Sequence, residues 1–170
     1  MNTRITTHPH KELFEKTRDI PKDQIHSDTY SSIGSSMLDI LRKKGGIGLS
    51  ANQVGLPLNM CVIELRSTDP KIMLNPRIVN KSKETMPSKE GCLSLPGAVV
   101  TVSRYKEVTV EYEDVVGKTE SIEATGLLSA CLQHEIDHLS GILMINRVSE
   151  VERSRAVKDM NTYKRRAKRQ

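Results

Sequence analysis

At 170 residues, 36% of them hydrophobic, the chain is long enough to bury the core of one domain and too apolar to be disordered. The net charge of +5 is unevenly placed: Arg147 to Gln170 holds nine Lys or Arg against three acids, which leaves the rest of the chain slightly negative. No apolar run approaches the roughly 20 residues of a membrane span, and one Phe, four Tyr and no Trp leave no aromatic platform for single-stranded nucleic acid or DNA.

The start, MNTRITTHPHKELF, lacks the apolar stretch of a signal peptide, and it is not the acid-free, Arg/Ser-rich start of a transit peptide. A soluble cytoplasmic protein is therefore expected. Ser27–Lys44 reads as a helix capped by Ser27 or Asp28, with Tyr30, Ile33, Met37, Ile40 and Leu41 at helical spacing and Gly45-Gly46 as its stop. GIGLSANQVGLP follows as a glycine-bearing loop, and NMCVIELR as a strand rich in β-branched residues. KIMLNPRIVN reads as a strand broken at Pro76. EVTVEYED places Val108, Val110 and Tyr112 on one face, and after a turn at Gly117 the segment KTESIEA returns antiparallel.

Gly126–Leu139 is the second predicted helix, with Leu127, Leu128, Cys131, Leu132 and Leu139 as its apolar stripe and Gly141 as its stop. A third helix runs from about Ser149 to Ala167. No repeat, low-complexity tract or Gly/Ser/Pro linker divides the chain, and the order of elements is not that of repeated βαβ units. The expected fold is α+β, with antiparallel or mixed sheets packed around a central helix and a further helix at the C-terminus.

The chemistry concentrates in QHEIDHLSG, where His134, Glu135 and His138 form His-Glu-x-x-His. Positions four apart share a helix face, so both imidazoles can point at one metal ion. Glu135, rotated by roughly 100° from His134, stands where a general base for an activated water is useful. The rival reading is two solvated histidines and an acid, but a central, half-buried helix would leave such histidines in need of partners.

A catalytic site of this kind takes a third protein ligand and leaves a position open. In one metalloprotease pattern Gly141 fits, but the expected last ligand is Met144. Glu150 and Glu152 lie too close for the downstream glutamate of another. The three cysteines cannot all pair within the chain. Cys131 reads as pocket wall or core and Cys61 as a buried hydrophobe, whereas Cys92, in the turn-rich KEGCLSLPG, is the best third ligand.

GIGLSANQ (46–53), EGCLS (90–94) and QHEIDH (133–138) resemble, in order and spacing, the three signature motifs of the peptide deformylases. The resemblance implies a metal-dependent hydrolase that removes the N-formyl group from the initiator methionine of nascent polypeptides, releasing formate. It implies one divalent ion on Cys92, His134 and His138, ferrous in the native state, with zinc or nickel able to substitute. Glu135 becomes the general base, and the Gln53 amide with the Leu93 N–H the donors to the formyl oxygen. Ile47, Gly48, Gly91, Leu127, Ala130 and Cys131 are expected around the methionine and its backbone. Ser50 stands where many members carry alanine, and Ser88 where bacterial members often carry a larger apolar residue.

On this reading residues 1–148 form the catalytic part of a single domain and residues 149–170 its basic C-terminal helix. That tail is either a solvated helix or a contact for ribosomal RNA near the emerging substrate. Two rival functions remain. A peptidase built on His-Glu-x-x-His predicts a ligand downstream of His138, and a non-enzymatic, metal-stabilised RNA-binding module predicts a fourth protein ligand.

Overall fold

The structure, a computed structural model, describes residues 4–25, 28–65 and 69–169. The first helix, α1 (Asp28–Lys44), buries Tyr30, Met37, Ile40 and Leu41 as its spacing requires, together with Leu38. Ser27, expected as a cap, lies outside the described residues, and Asp28 begins the first turn, where a carboxylate suits the helix dipole. Gly46 N–H donates to Leu41 O (3.2 Å) and Gly45 N–H to Arg42 O (3.2 Å), closing the helix as expected.

Five strands, β1 (Gly48–Ser50), β2 (Met60–Ile63), β3 (Lys71–Lys81), β6 (Glu107–Glu113) and β7 (Thr119–Thr125), form one antiparallel sheet in the order β1-β2-β3-β6-β7. The strand expected over NMCVIELR is thus β2, and Arg66 at its end lies outside the described residues. β2 is apolar throughout because both its faces are covered. Met60 and Val62 pack with α1, while Cys61 and Ile63 pack with the second helix.

Two expectations change here. The loop GIGLSANQVGLP contains β1 and a 3-10 turn, Ala51–Val54. Pro76 does not end its strand: β3 runs on through a bulge at Leu74/Arg77, and a bulge is where a sheet tolerates proline.

β4 (Thr85–Gly91) and β5 (Val99–Tyr105), a pair not expected from the sequence, form a separate two-stranded antiparallel sheet. The helix α2 (Gly126–Leu139) touches both sheets. Cys131, Leu132 and Leu139 bury as expected, but Leu127 is 61% exposed. It stands in the first turn, before the helix passes beneath the sheet, and faces a cleft instead. At the other end Gly141 takes φ +73°, and a Cβ there would stand 2.5 Å from Phe14 O, so only glycine closes the helix against the N-terminal segment.

The helix α3 (Glu150–Ala167) starts at Ser149, whose Oγ accepts from Glu152 N–H in a capping box. Its Ala156 and Met160 are buried beside Leu13, Leu95, Val100 and Leu143 in a third apolar cluster. Among the described residues no helix is long and apolar enough to cross a membrane.

Candidate metal centre

The last two turns of α2 carry His134 and His138 on one face, their ring centroids 4.9 Å apart. Cys92 enters from the turn that follows β4, a turn closed by Leu95 N–H donating to Cys92 O (2.9 Å). Its Sγ lies 3.1 Å from His138 Nε2, and the three donor atoms fall within 4.8 Å of one another. A thiolate and two imidazoles at that spacing suit a divalent transition ion. Burial alone would push the Cys92 thiol up; the charge of His138 and hydrogen bonds with both imidazoles outweigh it and hold the thiol well below its ordinary value. That favours the form that binds metal.

The ring of His134 is aimed from behind. His134 Nδ1 lies 2.8 Å from Glu90 Oε2, which leaves Nε2 for a metal. Glu90 also receives Arg104 Nε (2.8 Å) and Nη2 (3.0 Å), and Arg104 Nη1 donates to Asp137 Oδ2 (2.5 Å). Asp137 accepts a further bond from Arg147 Nε (2.9 Å). Arg104 is only 3% exposed, so this is a buried relay of alternating charge. Gln133 ties it to α2, accepting from Tyr105 N–H (3.0 Å) and donating to Tyr105 O (2.9 Å).

Glu135 lies buried beside the two histidines, and its Oε2 has no hydrogen-bond partner among the described residues. Burial pushes its carboxyl above the ordinary value, while both histidines pull the other way. β1 passes directly over it: a Cβ on Gly48 would stand 2.5 Å from Glu135 Oε1. The free oxygen is an open acceptor at the ligand cluster, the property a proton-transferring carboxylate requires.

Gln53 is fixed in one orientation. Its Oε1 accepts from Ser50 N–H (3.0 Å), and its Nε2 donates to Ser94 Oγ (3.0 Å) and lies 3.6 Å from Cys92 Sγ. Ser50 Oγ, 3.0 Å from Gln53 Oε1 and 2.9 Å from Asn52 Oδ1, adds a hydroxyl to that clamp. Asn52 Nδ2 in turn donates to His138 O (2.6 Å), joining the turn to α2.

The centre opens into a cleft of about 790 Å³. Leu93 and all six residues expected around the methionine (Ile47, Gly48, Gly91, Leu127, Ala130 and Cys131) line it, as do Gln53, Cys92, His134 and Glu135. Sequence reasoning missed several walls: Arg4, Ile5 and Thr7 from the N-terminal segment, Val99 at the start of β5, and Tyr163 of α3. It also missed the relay, although Glu90 stood inside a quoted motif. The alternation of Val100, Val102 and Arg104, all buried on β5, was the available signal.

Met144, the protease-pattern position, is 1% exposed in the third apolar cluster, and Glu150 and Glu152 are exposed at the start of α3. Among the described residues the only His/Cys/Asp/Glu group able to hold a metal is Cys92, His134 and His138. A family model for polypeptide deformylase matches residues 2–154. The chain belongs to that family.

Relatives agree over most of the length. The peptide deformylase of Bartonella quintana is 39% identical over 156 residues, covering 89% of this chain and 87% of its own. That of Brucella suis is 44% identical over 135 residues, covering 77% of each. The crystal structure of a peptide deformylase from Legionella pneumophila superposes with a TM-score of 0.92 at 32% identity, covering 98% of both chains. The antiparallel sheets, the central helix and the C-terminal helix are thus those of the deformylase fold.

Proposed function

We propose that this deformylase-family chain hydrolyses the N-formyl group of formylmethionyl nascent peptides in the cytoplasm, using one ferrous ion held by Cys92, His134 and His138. The observation that carries this reading is the convergence of Cys92 Sγ and the two imidazoles beside a buried carboxylate with a free oxygen. A divalent ion in that donor set supplies Lewis acidity, lowering the pKa of a water and polarising the formyl carbonyl.

The protein groups do the rest. Glu135 takes a proton as the water oxygen bonds to the formyl carbon. It returns that proton to the amine nitrogen as the C–N bond breaks, giving formate and a free N-terminus. The Gln53 Nε2–H and the Leu93 N–H donate to the formyl oxygen while it carries negative charge. Ser50, by holding Gln53 Oε1, keeps that donor aimed. Glu90 fixes the tautomer of His134, and Arg104 and Asp137 fix Glu90. The methionine side chain occupies the apolar part of the cleft between Gly91 and Cys131, and its backbone pairs with the free edge of β1.

Formate release from a formyl-Met peptide tests the activity, and element counts per site in protein purified without oxygen test the metal. One iron per chain is expected; one zinc in active protein would replace the metal assignment and leave the chemistry standing. The exposed cations of α3, among them Arg155, Lys158, Arg165 and Arg166, are assigned to ribosomal RNA. The triple variant Lys158→Glu/Arg165→Glu/Arg166→Glu, which leaves Ala156 and Met160 in place, should lose co-sedimentation with ribosomes at low salt. Unchanged co-sedimentation would remove that assignment.

A further inference from the structure

The cleft also indicates which peptides the enzyme takes best, an inference that rests on the proposed deformylation. Among the described residues β1 pairs only with β2, and β4 only with β5, so each strand presents a free edge there. Gly48 lies over Glu135 and Gly91 precedes Cys92, so the reacting end of a peptide sits between these two glycines. Against the chain direction, the lining continues from Gly48 through Gly46 and Gly45 to Lys44 at the end of α1 on one side, and from Gly91 along β4 to Lys89 on the other. An extended peptide with its N-terminus at the metal centre runs outward antiparallel to both.

At about 3.3 Å per residue, Lys89 stands roughly 10 Å along β4 from Cys92, level with the third or fourth residue of such a peptide. Lys44, the last residue of α1, stands just before the glycines of the opposite wall and lines the same cleft. Both lysines line the cleft and are exposed. The only acids among the described lining residues are Glu90 and Glu135. Both lie at the metal centre, and Glu90 is already held by Arg104 and His134. Among the described lining residues, Lys44 and Lys89 thus place positive charge on the outer cleft, away from the two carboxylates at the centre.

We propose that Lys44 and Lys89 select formylated peptides with a carboxylate at the third or fourth residue. The test compares kcat/KM for formyl-Met-Ala-Glu-Ser, formyl-Met-Ala-Gln-Ser and formyl-Met-Ala-Lys-Ser in the iron-loaded enzyme. At low salt the Glu peptide should exceed the Lys peptide by about threefold to tenfold, the range two exposed ion pairs support. The ratio should shrink toward one at about 0.5 M salt. It should also fall to about one in Lys44→Gln/Lys89→Gln, and Lys89→Glu should push it below the wild-type value. Equal kcat/KM for the Glu and Lys peptides in the wild type, or a preference that survives in the double glutamine variant, would overturn the proposal. Failure to deformylate even the Gln peptide would overturn the deformylase reading itself, and this specificity with it.

Discussion

Glycine 48 and Glu135 share space that only one side chain can fill. With 2.5 Å between a Cβ at position 48 and Glu135 Oε1, Gly48→Ala must displace the carboxylate. A misplacement of about 1 Å lowers turnover roughly 10²-fold, so kcat should fall by that order while iron content and far-UV circular dichroism stay at wild-type values. The relay behind His134 makes a different prediction. Burial opposes ionisation of Glu90, but His134 and Arg104 outweigh it and hold its carboxyl at about 2, below its ordinary 4.5. Because the folded-state value is the depressed one, the stabilisation is complete above about pH 5 and is lost as pH falls toward 2. The unfolding free energies of wild type and Glu90→Gln should therefore converge across that window. Arg104→Met removes the cation shared by two buried carboxylates, leaving Glu90 to His134 and Asp137 to Arg147, and should lose up to about 3–5 kcal/mol at neutral pH by denaturant titration.

At the level of elements, the helices were legible and one hairpin was not. The bounds of α2 and α3 follow from local chemistry, namely Gly141 after an apolar stripe and Ser149 with Glu152 before one. β4 has no such mark. TMPSKEG contains a proline and little that is apolar, and it is a strand because β5 pairs with it along its whole length. β5 does alternate, but its third inward residue is Arg104, which reads as a surface residue until Glu90 and Asp137 are placed around it. Partners 14 and 33 residues away are chosen by the tertiary fold, so no local pattern announces them. Leu127 shows the converse: it has the spacing of a core residue but lies open at the cleft. α3 is part of the core as well as a charged surface. Met160→Ala should destabilise the protein by about 2–5 kcal/mol in urea unfolding, because Met160 fills the cluster of Leu13, Leu95 and Leu143.

Across the whole molecule the cleft is assembled from both ends of the chain. Lys164 donates to Thr7 Oγ1 (3.0 Å) and to His8 O (2.8 Å), latching α3 to the N-terminal segment, while Tyr163 and Thr7 both line the cleft. Sequence motifs marked the centre of this site because its donors are residue types with few alternative uses at that spacing. The outer walls use residues such as Val99 and Tyr163, whose position is set by the tertiary fold. The central claim, that Cys92, His134 and His138 hold a metal beside Glu135 to hydrolyse a formyl amide, is tested most directly by formate release. The substrate is a formyl-Met peptide, and protein purified without oxygen and loaded with ferrous iron is compared with Glu135→Gln. The expected result is one formate per free amine from the wild type, with turnover reduced at least about 10²-fold in Glu135→Gln at unchanged iron content. No formate from the iron-loaded wild type, or equal turnover in the variant, would contradict it.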